Sequence, residues 1–114
     1  MINFIFNKYN IATIAARILQ FHGAKIQKVV CMEELAELIQ ALAKDVRADD
    51  PAADIGHNEA RCDIVNEYAD CLIMLAQMEI TYSITMAEAL DTIGEKLKRE
   101  IDRIGKVEEW KKQH

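Results

Sequence analysis

Hydrophobic positions along this chain recur every three or four residues, the helical period, and no clear run alternates at two. The pattern predicts four helices. The first runs from about Tyr9 to Phe21, with Ile11, Ile14, Ala15, Ile18 and Leu19 as its stripe and Gly23 as its stop. The second runs from about Lys25 to Val46, where Cys31, Leu35, Leu38 and Leu42 form an a/d-like seam. Residues 47–58 contain Asp49-Asp50-Pro51 and Gly56, the composition of a loop. The third helix runs from about Glu59 to Ile80. Between Tyr68 and Met78 it is apolar on nearly every side, which predicts burial over most of its circumference. The fourth starts after Ser83, where Thr85 and Glu88 have capping-box spacing. Leu90, Ile93, Leu97, Ile101 and Ile104 form its stripe, and Gly105 is its expected stop. In the polar tail that follows, Trp110 is expected to pack on a neighbouring helix or a second subunit rather than to carry chemistry.

Four amphipathic helices with short links predict an all-α four-helix bundle. With 114 residues the chain fits a single domain, 1–114. One proline and four glycines leave little material for turns, which also favours long helices. A net charge of −5 makes sequence-independent binding to nucleic acid a poor expectation. No run reaches the roughly 18 apolar residues of a membrane span. Met1–Phe6 is apolar but too short for a signal peptide and lacks a cleavage pattern. Cys31, Cys62 and Cys71 are odd in number and form no CxxC pair, so they are read as reduced core residues of a cytoplasmic protein.

Two acidic pairs break the apolar runs: Glu34-x-x-Glu37 in the second helix and Glu67-x-x-Asp70 in the third. Three residues turn a helix to about 60° short of a full circle, so each pair shares a face. Glu33 points away from the leucine seam, toward water, while Glu34 and Glu37 can face another helix. Asp70 lies in a stretch with almost no polar surface, where an unpaired carboxylate is costly. Four carboxylates from two helices can converge on one hard divalent cation, and all-oxygen ligation suits Mg²⁺ or Mn²⁺. The competing reading is a set of interhelical salt bridges to lysine or arginine. On the fourth helix Lys96 and Arg103 lie two turns apart on one flank of the stripe, with Arg99 further outward. They can contact phosphate oxygens, or they can be the ordinary basic end of a solvated helix. His22, His57 and His114 do not make a ligand set, and there is no glycine-rich phosphate loop.

EELAELIQAL (33–42) together with VNEYADCLIML (65–75) resembles the MazG-like, all-α nucleoside triphosphate pyrophosphohydrolases, a superfamily that also includes dimeric dUTP and dCTP pyrophosphatases. The likeness covers roughly residues 25–104, and the interval between the two motifs is on the long side. It implies that Glu34, Glu37, Glu67 and Asp70 are Mg²⁺ ligands. EKLKREIDR (95–103) is similar to the helix whose Lys and Arg approach the triphosphate, which adds Lys96, Arg99 and Arg103 as phosphate contacts. The resemblance further implies a homodimer or homotetramer. The activity it implies is hydrolysis of a nucleoside triphosphate to the monophosphate and pyrophosphate in the service of nucleotide pools. In that reaction Glu34 or Glu37 would take the proton of the attacking water. Two rivals remain. One is a helical interaction module with structural salt bridges; the other is the same fold acting on a phosphoribosyl nucleotide.

Overall fold

Gly23 divides what would otherwise be one long helix. Its φ of +90° is costly for a residue with a Cβ, and its backbone serves both neighbours. Its N–H donates to Leu19 O at 2.8 Å, closing one helix, and its carbonyl accepts from Gln27 N at 3.1 Å, opening the next. A computed structural model of the chain describes residues 7–114, so the reading of Met1–Phe6 lies outside the described residues. The chain divides into two compact units, one ending at Ser83 and the other running Ile84–His114. The first holds α1 (Ile11–His22), α2 (Ala24–Arg47) and α3 (His57–Thr81). The second holds α4 (Met86–Gln113). The described residues are all-α, with no strand among them.

Local chemistry explains most boundaries. The loop after α2 folds on an Asx turn, in which Ala52 N donates to Asp50 Oδ1 at 2.9 Å. His57, the first residue of α3, clamps that loop: its Nδ1 lies 2.8 Å from Asp45 Oδ1 and its Nε2 lies 3.0 Å from Asp49 Oδ1. The capping box of α4 is formed. Glu88 N donates to Thr85 Oγ1 at 3.1 Å, and Thr85 N reaches Glu88 Oε2 at 3.5 Å.

One predicted stop fails. Gly105 does not end α4, which continues to Gln113. A glycine inside a helix costs only about 1 kcal/mol relative to alanine, and Val107 and Trp110 prolong the apolar stripe beyond it. The Trp110 ring stacks on that of His114, with centroids 4.5 Å apart.

In the first unit α2 and α3 run antiparallel. Gln27 meets Gln77, Cys71 Sγ meets the carbonyl of Glu34, and Lys44 meets Asp63 and Glu59. The buried side chains between the helices are small or flexible: Cys31, Ala41, Ala60, Cys71, Met74 and Ala76, with Ala15 from α1. Gln27 and Gln77 are buried as a pair, Gln27 Nε2 donating to Gln77 Oε1 at 2.8 Å, so neither amide loses its partner inside.

The expected Cys31/Leu35/Leu38/Leu42 seam holds only in part: Cys31 is buried and Leu38 half-buried, but Leu35 and Leu42 are exposed. Gln27 and Ala41 complete the buried face, because small side chains let α3 come close. Nor is α3 covered on most sides, for Ile73 and Leu75 are exposed. Tyr68, Leu72 and Ile73 line an open apolar groove of about 480 Å³ together with Ile11, Ile14 and Ile18 of α1. Cys62 also departs from expectation and is exposed, whereas Cys31 and Cys71 are buried; all three are free thiols.

Candidate metal centre

The antiparallel register of α2 and α3 decides where the acids meet. With Glu34 against Cys71 and Lys44 against Asp63, the face bearing Glu34 and Glu37 falls opposite the face bearing Glu67 and Asp70. Each of Glu34, Glu67 and Asp70 offers a carboxylate oxygen, and these atoms lie within 4.8 Å of one another. Glu37 stands exposed at the rim of the group, close enough for its charge to act on both Glu34 and Glu67. Glu33 is exposed, as its helical position requires.

The cluster lacks a counter-charge. Among the described residues no lysine, arginine or histidine pairs with Glu34, Glu37, Glu67 or Asp70. Glu34 Oε2 and Glu67 Oε2 are shut off from solvent with no hydrogen-bond partner. Burial, followed by the charges of Glu37 and Asp70, pushes the Glu34 carboxyl up from 4.5 to about 7. Burial also raises Glu67, with the Glu37 carboxylate as the next cause. Glu34 and Glu67 each bury a carboxylate oxygen without a partner and, with Asp70, offer oxygens at ligand spacing, which fits a hard cation that takes oxygen donors.

The centre opens into a cavity of about 540 Å³. Glu37 and Glu67 line it on the side of the cluster, while Lys44, Arg47 and Asp63 line it elsewhere. Lys44 Nζ bonds Asp63 Oδ2 at 2.7 Å and Glu59 Oε1 at 3.1 Å. These two bonds, Asp63 first, hold its pKa above the ordinary lysine value. Arg47 has no ion-pair partner among the described residues. Neither cation was singled out from sequence. The available signal was spacing, because Lys44 follows Glu37 by seven residues and so lies about 20° from it around the helix.

Lys96, Arg99 and Arg103 lie on α4, in the second unit, and are exposed. Arg103 Nη1 pairs with Glu100 Oε2 at 3.2 Å. His22 packs edge-on against Phe21, His57 holds the loop aspartates and His114 stacks on Trp110. None of the three joins the acidic cluster.

No family model, curated protein or solved structure matches this chain.

Proposed function

We propose that the chain is a Mg²⁺- or Mn²⁺-dependent nucleoside triphosphate pyrophosphohydrolase that releases the monophosphate and pyrophosphate. One observation carries the proposal: three carboxylates from two antiparallel helices gather, with Glu37 beside them and no basic partner, and two of their oxygens are buried without a hydrogen bond. The rival interaction module needs each acid answered by a lysine or arginine, and among the described residues none is. The motif strings resembling the MazG-like enzymes supply the reaction class.

On this reading Glu34, Glu37, Glu67 and Asp70 hold the cation. A bound Mg²⁺ or Mn²⁺ would neutralise triphosphate charge and lower the pKa of water. Glu34 or Glu37, whichever the cation leaves less engaged, would take the proton of the attacking water. The assignment of Lys96, Arg99 and Arg103 to phosphate belongs to the same proposal, as does a cytoplasmic location, which the free, buried Cys31 and Cys71 support. No helix among the described residues is long and apolar enough to cross a membrane.

We extend the proposal to a homodimer or homotetramer. What supports it is the exposure of large side chains that soluble monomers normally cover. Ile39 and Val46 on α2 are 67% and 71% exposed, and Leu97 and Ile101 on α4 are 61% and 66% exposed.

The deciding experiment is a panel of ribo- and deoxyribonucleoside triphosphates, with a phosphoribosyl nucleotide beside them, assayed for pyrophosphate release in Mg²⁺. Release from one or more triphosphates is expected. Glu67→Gln and Asp70→Asn should each abolish it with helical circular dichroism intact. Release that survives both changes would remove the cluster from the chemistry. Release from the phosphoribosyl nucleotide alone would keep the fold and metal and change the substrate.

A further inference from the structure

We infer that Arg47, with Lys44 beside it, is the anion-binding end of the cavity whose opposite end is the carboxylate cluster, and that it takes the distal phosphate of a polyphosphate held at that cluster. The inference rests on the metal-centre reading and adds a specificity-determining residue to it.

The placement follows from helix geometry. Glu37, Lys44 and Arg47 stand on α2 and line one cavity. From Glu37 the axis advances about 10 Å to Lys44 and about 15 Å to Arg47. Both cations line the cavity that Glu37 and Glu67 also line.

The two cations differ in what they have free. Lys44 is held by Asp63 at 2.7 Å and Glu59 at 3.1 Å, so its charge is answered and its position set. The same contacts partly offset the charge of Asp63. Arg47 lines the cavity, its side chain makes no hydrogen bond or ion pair to any described residue, and its five N–H donors form a fork that matches phosphate. A bland reading is available, since an arginine in the last turn of a helix complements the helix dipole wherever it points. That reading accounts for a basic residue but not for a shared cavity with orphaned carboxylates. A single phosphate at the cluster stops short of Arg47, whereas a chain of phosphates extends toward it. The cavity therefore discriminates by phosphate number, favouring a triphosphate over its monophosphate product.

The test uses the full chain and two readouts besides turnover. Mn²⁺ binding is measured first, by electron paramagnetic resonance. Inorganic tripolyphosphate, as its Mn²⁺ complex, and orthophosphate are then titrated calorimetrically. The wild-type chain should bind tripolyphosphate more tightly than orthophosphate. Arg47→Ala should weaken tripolyphosphate by about tenfold or more, as expected for a charge-assisted contact, while Mn²⁺ and orthophosphate affinities stay put. Arg47→Lys, which keeps the charge and loses the fork, should recover part of the loss. Unchanged tripolyphosphate affinity in Arg47→Ala, with Mn²⁺ still bound, overturns this inference alone. A loss in Arg99→Ala or Arg103→Ala that Arg47→Ala does not share overturns it too. Failure of the wild-type chain to bind Mn²⁺ overturns the metal-centre reading and this inference with it.

Discussion

Glu34 is the residue whose environment says most. Its Oε2 is buried without a partner, three acids crowd it, and its carboxyl is pushed up to about 7. Above that pH the metal-free protein carries a repelled charge at this position. Glu34→Gln removes the charge and keeps the shape. In EDTA at pH 8 the variant should therefore be more stable than wild type, by about 1 kcal/mol once solvent screening of the cluster is allowed for. In Mn²⁺ the order should reverse, because the wild type gains binding energy that the variant forgoes. Calorimetric melts under the two conditions check both halves. A variant less stable than wild type in EDTA would mean that Glu34 has a stabilising partner.

The connection between α2 and α3 rests on one imidazole between two carboxylates. Both ring nitrogens can donate only when the ring is charged, and the hydrogen bond to Asp45 is the main cause that raises the His57 pKa above its ordinary 6.5. The group binds its proton more tightly folded than unfolded. Its contribution is thus fully present below pH 6.5 and fades as pH rises through the higher folded value. His57→Ala should lower stability at pH 5.5 and make little difference at pH 9, as read from urea melts at each pH. An equal loss at both values would show that packing, not charge, explains the role of His57. Both ends of this loop flank α2 and α3 where they carry Lys44, Arg47 and Asp63, so fixing it also fixes the cavity wall.

For the chain as a whole, the distribution of side-chain size is the telling fact. The buried positions are mostly alanine, cysteine and glutamine, while many leucines, isoleucines and valines are exposed. On α4, about 42 Å long by its 28 residues, no residue is buried. A lone helix with such a stripe has little stability of its own, and a second copy of the chain offers matching apolar surface in equal amount. An assembly larger than 13.0 kDa is expected in sedimentation equilibrium. The double change Leu97→Glu and Ile101→Glu should weaken association by about a hundredfold or more, because each buried carboxylate would lack a partner. A wild-type chain that sediments as a monomer at all concentrations would refute the oligomer.

The helices, their caps and the pairing of acids were legible in order along the chain, because period, capping boxes and i,i+3 spacing are local properties of the backbone. Thr85 and Glu88 cap α4 as their spacing demands. Glu34, Glu67 and Asp70 come within ligand distance once the two apolar faces pair. Three things were not legible. Gly105 was misread as a stop because a helical glycine is cheap enough for neighbouring residues to override. The buried face of α2 was legible at Cys31 but not at Gln27 and Ala41, because side-chain size, rather than hydrophobicity, sets how closely α3 approaches. The cavity wall of Lys44, Arg47 and Asp63 depends on the antiparallel register of α2 against α3. That register is a long-range choice, settled by the fit of Gln27 to Gln77 and of Cys71 to the Glu34 carbonyl. Local pattern thus specified which groups could do chemistry, and packing between distant segments specified which of them share a space.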